Sequence, residues 1–184
     1  LGAYALDEKS RARWLCLDAD DDEDWNGLLR MADRFSTMQL PAYIEQSRRG
    51  GHLWFLFDDP LPGRDVRQFA KWLLGEHDVP MVEIYPKQDK LRTGPGSLVR
   101  LPLGIHRKTN KRYHFVTNKG EPIAPTIREQ MNILSTPDEF PIAFIKDIIS
   151  DLPKPEPVFP TPSFTKRGEV AGNTPSERIK NAVS

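Results

Sequence analysis

Leu15-Cys-Leu-Asp-Ala-Asp20 reads as a β-strand that ends in two carboxylates. Residues 11–18 alternate in character, which is the period of a strand. Successive strand side chains point to opposite faces, so Cys16, Asp18 and Asp20 share one face while Leu15 and Leu17 take the other. Two further runs resemble it. Gly50-Gly-His-Leu-Trp-Phe-Leu-Phe57 sets a histidine at the start of a very apolar strand. Val82-Glu-Ile-Tyr-Pro-Lys-Gln88 carries an acid inside a strand-forming run. A carboxylate on a buried strand is costly unless it is paired or binds a cation. Carboxylates on neighbouring strands repel one another, and a divalent metal removes that repulsion. The three runs therefore predict a metal site built on a sheet, of the kind that performs phosphate chemistry.

The segments between these runs fix their arrangement. Glu23 to Met38 places Trp25, Leu28, Leu29, Ala32 and Phe35 at helical spacing. The acids Asp21 to Asp24 precede that helix and suit its N-terminal dipole. Ala42 to Ser47 is a strand, Arg48-Arg-Gly-Gly51 a turn, and Gly51 to Phe57 the next strand. Asp58 to Gly63 reads as a loop. Arg64 to His77 is a second amphipathic helix, with Val66, Phe69, Ala70, Leu73 and Leu74 as its stripe, and Pro80 to Tyr85 a fourth strand. The order is β-α-β-β-α-β, an α+β fold on the ferredoxin- or RRM-like plan. With right-handed crossovers, the first strand lies between the third and fourth and antiparallel to both. Asp18, Asp20, His52 and Glu83 then converge at one end of the sheet face not covered by the two helices.

An extra basic β segment follows, with short strands near 97–101 and 112–117. Two helices are expected over 125–135 and 137–149. Residues 1–149 form one domain in this reading. Residues 150–172 are a proline-rich linker, and 173–184 begin a further helix at the capping box Thr174-Pro-Ser-Glu177.

The chain of 184 residues holds 26 basic and 26 acidic side chains, so net charge excludes no partner. The distribution is more informative. Asp18 to Asp24 contains six acids and no base, whereas Pro86 to Lys119 contains nine Lys or Arg and one acid, Asp89. An acidic pocket beside a basic surface suits a cation site that handles a polyanion. The single cysteine, Cys16, excludes an intrachain disulfide and agrees with a reducing cytoplasm. No apolar run approaches the length of a membrane helix, so no membrane partner is expected.

Asp18-x-Asp20 with Glu83 offers hard oxygen ligands for two Mg²⁺ or Mn²⁺ ions. His52, after its two glycines, can donate to a phosphate oxygen. Lys87, four residues beyond Glu83, and Arg100, a cation within Leu98-Val-Arg-Leu-Pro-Leu103, point into a site or a pair. Two other readings use the same residues: a metal-dependent nuclease, and a non-catalytic RRM-like nucleic-acid-binding module. The carboxylates at the sheet's centre argue against the second.

In this order, an Asp-x-Asp strand end (Asp18-Ala-Asp20), a small-x-His strand start (Gly50-Gly-His52) and a later strand acid (Glu83) resemble the archaeo-eukaryotic primase superfamily. Glu83-Ile-Tyr-Pro-Lys-Gln88 and Arg100-Leu-Pro-Leu-Gly-Ile-His106 look like its primase-polymerase branch from bacterial mobile-element and defence systems, including CRISPR-associated primase-polymerases. The resemblance covers residues 10–117. It departs at Gly50, where serine is common, and at Glu83, where aspartate is usual; Ser47 is a substitute for the missing hydroxyl. The resemblance implies a primase-polymerase catalytic domain over 1–149 that joins nucleoside triphosphates on a single-stranded DNA template, with or without a primer. Asp18, Asp20 and Glu83 would hold the two ions. His52, Lys87 and Arg100 would cradle the triphosphate, with Ser47, Gly51, Gln88 and His106 beside them. It further implies a zinc-ribbon or helicase domain elsewhere in the full-length protein, and a trimmed or minimal core here.

Overall fold

Alternating side chains at Arg11–Ala19 and a long apolar run from Gly51 build the two central strands of a mixed α+β fold. The computed structural model describes residues 2–79 and 82–153. The elements in chain order are β1 (Gly2–Tyr4), β2 (Arg11–Ala19), α1 (Asp22–Thr37), β3 (Tyr43–Gln46), β4 (Gly51–Pro62), α2 (Gly63–Glu76), β5 (Glu83–Tyr85), β6 (Leu98–Arg100), β7 (Ile105–His106), β8 (Lys111–Arg112), β9 (Phe115–Val116), α3 (Ile127–Ser135) and α4 (Ile142–Asp151). The main sheet has five strands in the order β5-β2-β4-β3-β9. β2 pairs antiparallel with both β4 and β5. Two small ribbons, β1-β6 and β7-β8, complete the strands.

The helix face carries the main core. Leu15, Leu17, Leu53, Phe55 and Ile44 of the sheet meet Leu28, Met31 and Phe35 of α1 and Val66, Phe69 and Leu73 of α2. Phe140 and Ile145 join them from the segment around α4, and Phe140 packs edge-on against Phe35 and Phe55. The acids before α1 act as the sequence implies. Asp21 caps the helix by accepting from the Asp24 N–H at 2.9 Å, and Asp22, Glu23 and Asp24 fill the first turn, where the dipole favours them.

Two expectations change. Asp58–Pro62 is strand rather than loop: β4 continues to Pro62, and Ala12 pairs with Leu61 after an irregularity between Ala12 and Trp14. Leu61 is buried in the core, and a bulged stretch tolerates prolines that a regular ladder would reject. The second change concerns the face away from the helices, which is only half open. β1, β6, the segment after β6 and α3 lie over it and form a second core of Ala5, Cys16, Trp54, Tyr85, Val99, Leu103 and Phe115. Trp54 and Tyr85 are therefore packed rather than displayed. A cavity of about 790 Å³ remains between the two layers, lined by Trp14, Tyr43, Trp54, Phe115 and Met131 with Arg100 at its edge.

The expected helix at 137–149 begins later, at Ile142, because Pro141 supplies its N-cap. The start of the fourth strand at 80–81 and the expected features after residue 153, most of the proline-rich linker and the further helix, lie outside the described residues. No helix among the described residues is long and apolar enough to cross a membrane.

Candidate active site

Strand register assembles the site at the uncovered end of the sheet. Asp18 on β2 stands directly opposite His52 on β4 and, on its other side, directly opposite Glu83 on β5. Directly opposed residues of an antiparallel pair project to the same face, so these three side chains share one patch. The His52 Nε2 lies 3.3 Å from Asp18 Oδ1. Its Nδ1 lies 2.7 Å from Oε2 of Glu45 on β3. With a carboxylate at each nitrogen, the imidazole donates from both as imidazolium. Burial opposes that charge, and the hydrogen bonds to Asp18 and Glu45 outweigh it, raising the His52 pKa to about 9.

Glu83 is half exposed and already paired. The Lys87 Nζ sits 2.9 Å from its Oε2, and the Tyr85 hydroxyl donates to the same oxygen at 2.9 Å. The Lys87 ammonium first, and the Tyr85 hydroxyl second, hold the Glu83 carboxyl below its ordinary range; the same contact raises the Lys87 ammonium. Lys87 also lies over the Tyr85 ring. Beyond Lys87, a concavity of about 470 Å³ is lined by Arg67, Lys87, Gln88, Lys90 and Arg92 together with Asp89.

Arg100 reaches the site from β6. It donates to Glu45 Oε1 at 2.9 Å and to the Leu101 carbonyl at 3.3 Å. The remaining candidates sit further out. Asp20 lies just past the end of β2, exposed, with Arg49 at 3.9 Å. Ser47 and Gly51 belong to the β3–β4 hairpin, where the Ser47 N–H donates to the Gly50 carbonyl. Gly51 has a packing reason: an added Cβ would lie 2.3 Å from the Glu45 carbonyl oxygen and 2.5 Å from the Trp25 ring. Gln88 packs against Gly96, its amide filling the space that a Cβ there would take, and the φ of +82° at Gly96 separately favours glycine. His106 is on the separate β7-β8 ribbon, bonded to Thr109 and edge-on to Tyr113.

Glu45 was not among the expected residues. Its carboxylate is fully buried and accepts from His52, from the Trp54 Nε1 at 3.2 Å and from Arg100. The signal was present, since Tyr43-Ile-Glu-Gln46 places Glu45 on the same face as Tyr43, opposite Ile44. The strand is short and half polar, so its acid did not stand out as an interruption.

Together the patch is a row of paired charges, Lys87, Glu83, Asp18, His52, Glu45 and Arg100, in which only the carboxylates of Glu83 and Asp18 stand side by side. Among the described residues no three His, Cys, Asp or Glu side chains are gathered as a ready metal-ligand set. Each candidate ligand is turned instead toward a cation of the protein itself. The donor chemistry nevertheless fits Mg²⁺ or Mn²⁺. Asp18, Asp20 and Glu83 are hard carboxylates at one end of the sheet, two of them on adjacent strands.

The chain matches the family model of the archaeo-eukaryotic primase domain of TOTE conflict systems over residues 1–144. It belongs to that family, which is of the primase, nucleotidyltransferase type and is found in a bacterial defence setting, as the ordered motifs implied. No curated protein matches the chain significantly.

Proposed function

We propose that this domain is a template-directed primase-polymerase, joining nucleoside triphosphates, ribo or deoxy, on a single-stranded DNA template. The observation that carries the proposal is the register that sets Asp18 between His52 and Glu83 in a member of this family. The strand order β5-β2-β4-β3 with α1 and α2 on one face supports the ferredoxin-like plan for the catalytic core, with β9 as an added edge strand. In the reaction the 3′-hydroxyl oxygen of the primer, or of a first nucleotide, bonds to the α-phosphorus of the incoming nucleotide. The bond to the β-phosphate bridging oxygen breaks, pyrophosphate leaves, and the hydroxyl proton passes to solvent.

Asp18, Asp20 and Glu83 would hold two Mg²⁺ or Mn²⁺ ions, which supply a lowered hydroxyl pKa and charge neutralisation at the phosphates. Lys87 and Arg100 donate to the triphosphate, and His52 does so through its Nε2–H once the Asp18 carboxylate turns to the ions. Each is a cation already standing beside a carboxylate of the patch. Ser47 and Gly51 border that cradle at the hairpin, Gln88 borders the cationic concavity, and His106 sits with Arg107, Lys108, Lys111 and Arg112 on the basic ribbon. That ribbon and the concavity beyond Lys87 suit the phosphates of template and primer. A zinc-ribbon or helicase domain elsewhere in the full-length protein belongs to the same proposal.

The test is incorporation of labelled nucleotide on single-stranded DNA, with and without an annealed primer, in Mg²⁺ or Mn²⁺, beside Asp18→Ala/Asp20→Ala. Product from the parent alone supports polymerisation at this site, and product without primer makes it priming. Template degradation without incorporation would replace the proposal with a nuclease. Nucleic-acid binding that survives the double substitution, with no activity in the parent, would replace it with a binding module.

A further inference from the structure

Glu45 is the one carboxylate among the described residues that is wholly removed from solvent. A buried charge of this kind is tolerated only when its partners are well placed and its lone pairs are used. Here Oε2 receives His52 and Trp54, and Oε1 receives Arg100. Two of the three donors are side chains read above as triphosphate ligands. They come from separate pieces of the fold. His52 is on the central strand β4, whereas Arg100 is on β6, which pairs with β1 and makes no ladder with the five-stranded sheet. The carboxylate of Glu45 is the side-chain link that fixes the Arg100 guanidinium to that sheet.

The geometry also fixes direction. With Nδ1 held by Glu45, the His52 ring plane is set and Nε2–H points to the Asp18 end of the sheet. Arg100 uses one donor on Glu45 and one on the Leu101 carbonyl, and its other N–H groups stay available to an anion. Donors ordered in advance lose less freedom when the anion arrives. We propose that Glu45 is a positioning residue that holds His52 and Arg100 as a fixed pair of donors for a polyphosphate. This rests on the reading of His52 and Arg100 as triphosphate ligands. A purely architectural Glu45 would change stability and leave the affinity of each folded molecule alone.

Isothermal titration of the full chain with inorganic triphosphate separates these cases. The proteins compared are wild type, Glu45→Gln, Arg100→Met and the double variant, each first shown to be folded by circular dichroism. Glu45→Gln keeps the size but sets an amide N–H₂ against one of the three donors. Triphosphate affinity should fall about tenfold or more, the range of one lost hydrogen bond to a charged group. The double variant should lose less than the product of the two single losses, because part of the Glu45 effect runs through Arg100 and the rest through His52. Where Glu45→Gln does not fold, Glu45→Asp keeps the charge and shortens the reach; it should bind more weakly than wild type and show the same coupling to Arg100→Met. Unchanged affinity in the folded variant, multiplicative losses, or a wild type that does not bind triphosphate would each overturn the proposal. Glu45-dependent triphosphate binding by a protein that extends no primer would keep this inference and remove the polymerase reading.

Discussion

The pairing of His52 between two carboxylates predicts a stability that falls as the solution becomes alkaline. The ordinary histidine value is 6.5, and in the folded protein it rises to about 9. At about 1.4 kcal/mol per pK unit, the interaction stabilises the fold by roughly 3 kcal/mol when His52 is charged in both states. The sign follows from the direction of the rise. The contribution is complete below the unfolded value of 6.5 and is lost as pH climbs through about 9. Between about pH 6 and pH 8.5 the loss should be about 2 kcal/mol. Cys16, whose burial holds its thiol well above the ordinary value of 9, begins to act at the upper edge of that window, as the unfolded thiol ionises, and in the same sense as His52. His77 is lowered by burial first and Arg34 second, so it acts at the lower edge of the window and in the opposite sense. The assay is urea unfolding followed by tryptophan fluorescence in a chelator, for wild type and His52→Asn, at several pH values. Subtracting the two curves removes the shared titrations of Cys16 and His77. A difference that shrinks by about 2 kcal/mol from pH 6 to pH 8.5 is expected. A flat difference, or one that grows with pH, would refute the reasoning, as would an imidazole titration by NMR centred near 6.5.

Three other outcomes follow from contacts already described. Glu83→Gln should lower nucleotide incorporation by at least about a hundredfold. Because Glu83 is half exposed, its unfolding free energy should stay within about 0.5 kcal/mol of wild type, as urea titration would show. Gly50→Ser, which restores the residue common in the resembling family, should destabilise this protein by at least ~2 kcal/mol. The added Cβ would fall 2.2 Å from the Ala19 carbonyl oxygen, and backbone cannot yield cheaply; an unchanged urea midpoint would contradict it. Phe140→Ala should cost about 3–5 kcal/mol by thermal or urea unfolding, since its ring meets Phe35, Phe55, Phe69 and Phe144 in the core.

The fold was legible where apolar periodicity was strong. Leu15 and Leu17, Leu53 and Phe55, and the stripes of α1 and α2 all meet in one core, because each pattern admits only one face for burial. Legibility failed where burial came from sparse residues. The cover over the other face uses Ala5, Val99 and Leu103, single apolar residues in segments with no period, so the sequence alone left that face open. Proline misled at Asp58–Pro62, where an irregular register lets the strand continue past Pro60 to bury Leu61.

For the site, the same contrast separates Glu83 from Glu45. Glu83 interrupts Val82-Glu-Ile-Tyr85 and so announced itself, yet it is half exposed and its partner is the flexible Lys87. Glu45 announced nothing, yet it is the more deeply buried acid and the one with the more demanding surroundings. The reason is that burial of Glu45 depends on partners far away in sequence. His52 and Trp54 come from the next strand, but Arg100 arrives 55 residues later from a ribbon whose docking no local pattern encodes. An acid that breaks an apolar run is visible because its neighbours are apolar. An acid neutralised by distant cations is invisible until those cations are placed. In this protein the hidden carboxylate is what turns two scattered cations into neighbours, so the residue that sequence reading passed over joins the parts it did find.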